Sequence, residues 1–242
     1  MSPEEWAAFL EVHKGLPRQG PGLPDDVAWA VDAIGLSGAV DVFDAACGPG
    51  ADTMTLARLL PEARITAVDT TLSFVEQAQA QLADDADRVS VRCDNMASPD
   101  GSYDLIWCAG ALYFLGVTEV LRGWRRALRP GGHVVFSEPV LLDPTPSAEV
   151  AAFWSDYPHI TDLSGIEARV TAAGFQTHAH RMIVGAPWEA YYKPMQARVD
   201  MLRQSDPDPQ VARALDENQL EIDRWRAARD QVAYALLIVS PQ

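Results

Sequence analysis

Cysteine and histidine are scarce in this 242-residue chain, which holds three cysteines (Cys47, Cys93 and Cys108) and five histidines. No CxxC or Cys/His ligand spacing occurs, so neither a disulfide framework nor a structural metal site is expected. Long apolar runs are also missing: no stretch reaches the roughly 20 apolar residues that cross a bilayer. The opening MSPEEWAAFLEVHKG is acidic, without a basic n-region, and the expectation is a cytoplasmic chain with no membrane association. Basic charge is short as well, with 19 Lys and Arg against 34 Asp and Glu and a formal net charge of −15. That balance repels nucleic-acid phosphates and anionic lipid. The single arginine cluster, 122–130, is spaced with Leu121, Trp124 and Leu128 as the polar face of a surface helix.

What is present is enough apolar residue, 48% of the chain, for one core with a modest lid, and not for two independent cores. From residue 40 onward apolar runs alternate with helical patterns, the arrangement of βα units and a mostly parallel sheet. Seven strands are predicted at 40–46, 64–69, 88–93, 103–109, 132–138, 175–184 and 231–239. Helices are predicted at 51–60, ended by Pro61, at 72–82 with Thr70 or Thr71 as N-cap, and at 118–128, stopped by Arg129-Pro130-Gly131-Gly132. The fold class is therefore α/β: a doubly wound, Rossmann-like sheet of seven strands, mostly parallel with the last antiparallel, carrying helical lid insertions. The whole chain, 1–242, reads as one domain, with an N-terminal cap at 1–22 and lids at 139–163 and 186–230. Ser205-Asp-Pro-Asp-Pro209 is expected to turn between two lid helices.

The densest chemical signal is Asp44-Ala-Ala-Cys-Gly-Pro-Gly-Ala-Asp52, where a strand ends and a helix begins. Gly48 and Gly50 allow a tight turn and close approach of a ligand. Asp69, closing the second strand, is spaced to accept the hydroxyls of a ribose. A dinucleotide site would want a third glycine at position 53, which is Thr53. Past the third strand, Asp94-Asn95-Met96 offers polar groups to an adenine amino group and a thioether to cover the ring; an ordinary polar loop is the alternative. Cys108-Ala109-Gly110-Ala111 is small throughout, so a ligand can lie against its backbone. All four elements fall at carboxyl ends of strands, where open α/β sheets bind ligands.

The segments FDAACGPGADT, ITAVDTT, RCDNM, YDLIWCAGALYFLG and ALRPGGHVVFSEP resemble, in order, the successive motifs of the class I S-adenosylmethionine-dependent methyltransferases. A narrower likeness, carried by Arg18-Gln-Gly-Pro-Gly22, Ala109-Gly-Ala-Leu-Tyr113, FWSDYP (153–158) and WEAYYKP (188–194), is to a bacterial group of small-molecule methyltransferases whose substrates are largely unassigned. Many of its members carry an acidic residue where this chain has Ala109. The resemblance implies an S-adenosylmethionine site in which Gly48 and Gly50 flank the methionine part, Asp69 holds the ribose, and Asn95 with Met96 borders the adenine. Arg18 and Gln19 would close over the methionine carboxylate. Gly20, Asp44, Thr70, Asp94, Cys108 and Ala109 complete the expected cofactor set. The usual strand order, 3-2-1-4-5-7-6, would set Cys47 and Cys108 on adjacent strands, both beside the cofactor as small apolar groups.

The expected activity is methyl transfer to a small-molecule acceptor. The alternative is a non-catalytic protein that senses S-adenosylmethionine or its demethylated product. An activated methyl needs placement more than a base. If a base is used, Glu138 at the end of the fifth strand is the candidate, or else a loop-ordering carboxylate. His159, His13 and Tyr113 are further candidates, the histidines having surface or packing roles as the alternative. His13, Tyr113, Trp154, Tyr157, Trp188, Tyr191 and Tyr192 form the expected acceptor pocket, with lid-to-core packing as the competing role. His178 and His180 alternate on one strand without a third ligand, so no metal is expected. Pairing of subunits into a homodimer is left open.

Overall fold

The computed structural model describes residues 2–242. Its seven strands are β1 (Asp41–Ala45), β2 (Arg64–Asp69), β3 (Val89–Cys93), β4 (Tyr103–Ala109), β5 (Leu128–Leu141), β6 (Phe175–Ile183) and β7 (Val232–Pro241). They form one sheet in the order β3-β2-β1-β4-β5-β7-β6. The first five pair in parallel, and β7 runs antiparallel between β5 and β6.

Strand alternation gives the sheet two buried faces. On β4, Leu105 and Trp107 belong to one core cluster with Val42 and Ile65, whereas Ile106 and Cys108 belong to the other with Phe43 and Val68. Helices α2 (Pro24–Ile34), α3 (Ala51–Leu59) and α4 (Leu72–Gln81) contribute Val27, Leu56 and Val75 to the first cluster. On the opposite face, α5 (Val117–Trp124) and α7 (Leu163–Ala172) contribute Leu121, Trp124, Ile166 and Val170.

The lid is helical. The N-terminal helix α1 (Pro3–His13), α8 (Ala186–Arg203) and α9 (Pro209–Ala227) pack on one another, and α6 (Ala148–Phe153) packs against α9. Local chemistry sets their ends. Ser2 and Glu5 form a capping box at the start of α1. At 205–209 the chain turns as expected: Asp206 takes φ +52°, Asp208 caps α9 through the Gln210 and Val211 amides, and Pro209 opens the helix.

Two boundaries differ from the sequence reading. The third predicted helix ends at Trp124, passes through a short 3-10 turn, Arg125–Ala127, and Leu128 already pairs with Tyr103 as the first residue of β5. Arg129-Pro-Gly-Gly132 is therefore a bulge inside a strand. It is held because Arg129 spans Asp41 and Asp104 at 2.5 and 2.6 Å, and because a Cβ at Gly132 would meet the Tyr103 carbonyl at 2.9 Å. At its far end β5 continues through Pro139, Val140 and Leu141 against β7, so the first lid begins after Leu141 instead of at 139.

Candidate functional site

The carboxyl ends of β1, β2 and β4 and the helical lid enclose a cleft of about 980 Å³, at the top of the range for small-molecule sites. It has a polar half over the sheet and an aromatic half under the lid.

The polar half is built on the turn after β1. Ala46 and Gly48 both have positive φ, +58° and +54°, and both line the cleft; for alanine this is a strained conformation that its surroundings must hold. The hold is visible. The Cys47 amide donates to the Val68 carbonyl at 2.9 Å, and the Gly48 amide donates to Asp69 Oδ2 at 2.9 Å. Asp69 Oδ1 accepts from the Thr71 amide at 2.8 Å. A carboxylate has about four acceptor positions, so Asp69, facing the cleft, keeps two for a vicinal diol. Thr70, Phe74, Asp94 and Met96 line the neighbouring wall, a combination of flat apolar cover and a carboxylate suited to an aminated ring.

Three residues expected at this site lie outside the lining: Asn95, Gly50 and Cys108. Asn95 turns away: its Oδ1 accepts from the Ala97 amide, which leaves Asp94 as the polar neighbour of the ring wall. Gly50 takes φ +91° against α4, where a Cβ would meet the Ala78 Cβ at 3.0 Å, so its smallness serves helix packing.

Asp44 is fully enclosed and accepts from the Thr53 hydroxyl at 2.5 Å. Burial, with Asp52 and Asp69 nearby, pushes its carboxyl up to about 8 although the Thr53 bond opposes this. Thr53, at the position where a dinucleotide site wants glycine, supplies the donor for that carboxylate. Asp52, not singled out from the sequence although it ends the quoted glycine motif, accepts from Trp107 Nε1 at 3.1 Å and from Arg18 at 3.3 Å. Both members of the ion pair are largely buried, with side chains 11% and 13% exposed. Arg18 also donates through Nε to the Gly20 carbonyl. Gln19 reaches back to His13, its Oε1 lying 2.7 Å from Nδ1 and its Nε2 donating to the His13 carbonyl. His13 Nε2 faces Asn218 Oδ1 at 3.2 Å, and burial lowers the pKa of this imidazole. The N-terminal cap is thereby fixed to both the cleft and α9.

The cysteines separate. Cys47 lines the cleft, its thiol held neutral by burial. Cys108 was expected beside it, but alternation on β4 turns it to the opposite face of the sheet, where it is buried in that core. Ala109, Gly110 and Ala111 do line the cleft, and a Cβ on Gly110 would reach the Tyr234 ring at 3.4 Å.

Tyr234 organises the aromatic half. Its ring lies 5.0 Å from Trp188, 6.1 Å from Trp154 and 6.4 Å from Tyr113. Tyr157 closes the group, 5.0 Å from Tyr113 and 5.4 Å from Trp154. Tyr191 and Tyr192 from α8 line the same wall, and Tyr192 donates to Glu221 Oε1 at 2.7 Å. Burial raises the phenols of Tyr113, Tyr191, Tyr192 and Tyr234 well above their ordinary value, which favours their protonated form. Glu221 is exposed at the cleft; the surrounding protein raises its carboxyl pKa and the Tyr192 bond opposes this. Tyr234 and Glu221 were missed in the sequence. Tyr234 stands in an otherwise aliphatic strand. Glu217, Glu221 and Arg224 recur at spacings of four and three beside the buried Asn218, Ile222 and Trp225, a helical stripe that the sequence contains.

The two remaining catalytic candidates are not in the cleft. Glu138 is buried on β5 with its Oε2 unpartnered, and burial raises its carboxyl to about 7 against the pull of Arg169 3.6 Å away. His159 is exposed, and its carbonyl accepts from the same Arg169 at 2.5 Å. One arginine thus ties both residues to α7. His178 bonds to Ser240 at 2.7 Å, and no cluster of three metal-ligating side chains occurs among the described residues. No helix among them is long and apolar enough to cross a membrane.

Comparison with known proteins agrees with this geometry. Residues 42–132 match the family model described as a methyltransferase domain. The chain is 31% identical over 159 residues to mouse N-terminal Xaa-Pro-Lys N-methyltransferase 1, covering 60% of this chain and 67% of that one. It is 31% identical to malonyl-[acyl-carrier protein] O-methyltransferase of Pseudescherichia vulneris over 54% of this chain and 49% of the relative. The chain spans less than half the length of several curated relatives it matches. Among solved structures, a SAM-dependent methyltransferase from Geobacter sulfurreducens in complex with S-adenosyl-L-homocysteine superposes with a TM-score of 0.83 at 20% identity, over 100% of this chain and 99% of the other; at that identity the likeness speaks for the fold. Sequence match, sheet order and the composition of the cleft converge: the chain belongs to the class I S-adenosylmethionine-dependent methyltransferases.

Proposed function

We propose that the protein transfers the methyl group of S-adenosylmethionine to a small-molecule acceptor held in the aromatic half of the cleft. The observation that carries this reading is the continuity of that half with the polar half around Asp69, in one cavity of about 980 Å³. A protein that only sensed the cofactor would have no use for the second chamber. The narrower likeness to bacterial small-molecule methyltransferases, carried by the segment from Arg18 to Gly22 and by the aromatic lid, points the same way, as does the net charge of −15, which disfavours nucleic acid as acceptor. The same composition supports a cytoplasmic protein.

In this reading Asp69 accepts the ribose hydroxyls, Asp94 and Met96 border the adenine, and Arg18, held by Asp52, faces the methionine carboxylate. The cofactor supplies a methyl already activated by its sulfonium. The remaining task of the chain is to hold the acceptor in line and exclude water. The aromatic walls and the closed N-terminal cap supply both. Neither Glu138 nor His159 is among the residues that line the cleft, so this reading assigns the base role to neither. Turnover is tested by incubating the protein with methyl-labelled S-adenosylmethionine and a library of small acceptors. Label transfer that Tyr234→Ala abolishes supports the reading. Tight cofactor binding with no transfer to any acceptor class favours the sensor.

A further inference from the structure

The aromatic half of the cleft has its own charge pattern. Asp156, Glu217 and Glu221 line it, against the single guanidinium of Arg224. The carboxylate of Glu221 accepts from the Tyr192 hydroxyl through Oε1, and among the described residues no group donates to its Oε2. In the same cleft the rings of Tyr113, Trp154, Tyr157 and Tyr234 form part of the wall, meeting one another edge to face or stacked at 5.0 to 6.4 Å. Aromatic faces attract a cation, and a carboxylate fixes its position. At the mouth, Trp6, Phe114, Leu115 and Leu220 are 42%, 72%, 47% and 51% exposed. Such an apolar rim suits a ligand whose body leaves the chamber.

We propose that this chamber takes a cationic amine carried on an apolar body, the ammonium meeting the Glu221 carboxylate among the four rings and the body lying along the rim. This deepens the methyltransferase reading and rests on it for the identity of the chamber as the acceptor site.

The test uses three probes of one shape: 2-phenylethylamine, 2-phenylethanol and phenylacetate. Each is titrated by tryptophan fluorescence into the protein saturated with S-adenosylhomocysteine. A charge-assisted contact predicts that the amine binds at least about tenfold tighter than the alcohol and the carboxylate. Glu221→Gln should erase that preference, and Glu217→Gln should retain it. Equal binding of all three, binding of none, or tighter binding of phenylacetate on Arg224 overturns the proposal. Saturation with S-adenosylhomocysteine separates the two failures: intact nucleoside binding without amine preference rejects only the acceptor class, whereas absent nucleoside binding rejects the methyltransferase reading itself. Nucleoside affinity also reports that Glu221→Gln is folded.

Discussion

Arg18 stands 3.3 Å from Asp52, and Asp52 in turn accepts a hydrogen bond from the Trp107 indole N–H at 3.1 Å. A loop before the first domain helix is thereby tied to the helix that follows the glycine turn and to the floor of the sheet. If Arg18 faces the cofactor carboxylate, Asp52 acts through it. Arg18→Ala and Asp52→Asn should each weaken S-adenosylmethionine binding by about tenfold, and the double variant should lose little more than the worse single one. Calorimetry on the three variants checks this; additive losses contradict a coupled pair.

Among the described residues, Thr53 alone donates a hydrogen bond to the enclosed Asp44 carboxyl group. Thr53→Val keeps the shape and removes the donor, at a cost of about 1–3 kcal/mol. For a chain of this size each kcal/mol lowers the melting temperature by roughly 2–4 °C. Thr53→Gly, which completes the glycine pattern of a dinucleotide site, should destabilise the protein without conferring NAD binding. Unchanged melting in Thr53→Val, or NAD binding in Thr53→Gly, contradicts the role given to this hydroxyl.

Glu138 provides the pH dependence. Its folded pKa of about 7 lies above the ordinary 4.5, so between those values the folded chain keeps a proton that the unfolded chain releases. Stability associated with this group is full below about pH 4.5 and falls as pH rises through 7. Glu138→Gln removes that decline, and the difference between variant and wild type grows with pH to at most about 3 kcal/mol. Denaturant unfolding at pH 5 and pH 8 measures it. Parallel pH profiles for the two proteins contradict the assignment.

The cysteines distinguish cleft from core. Cys47→Trp fills part of the polar half and should abolish nucleoside binding, whereas Cys108→Ala removes a buried sulfur on the far face and should lower stability with nucleoside affinity unchanged. Nucleoside titration and thermal unfolding of both variants test this together. A loss of affinity in Cys108→Ala equal to that in Cys47→Trp contradicts the placement.

Periodicity made the sheet readable because each strand is a short apolar run bounded by turn residues, and all seven stand where the alternation sets them. The β5 boundaries were less legible. Pro130 and two glycines read as a stop, yet the bridge from Arg129 to Asp41 and Asp104 converts them into a bulge, a contact between residues far apart in sequence. Motif spacing brought Asp69, Gly48 and Met96 to one cleft, and the family resemblance placed Arg18 there. It did not say which neighbours turn inward: Asp94 faces the cleft and Asn95 does not, because Asn95 closes its own turn. The same limit hid Glu138 behind Arg169 and left Tyr234 unnoticed among aliphatic neighbours, since a strand residue's partners come from elements remote in the chain.

The most direct test of the account is calorimetric titration of S-adenosylmethionine, S-adenosylhomocysteine and NAD into the wild-type protein and Asp69→Ala. The account predicts that both sulfur nucleosides bind, that NAD does not, and that the variant loses about 10- to 100-fold in affinity, the roughly 1.5–3 kcal/mol of a charged acceptor. Binding of NAD alone, of no nucleoside, or equal affinities in the two proteins would contradict it.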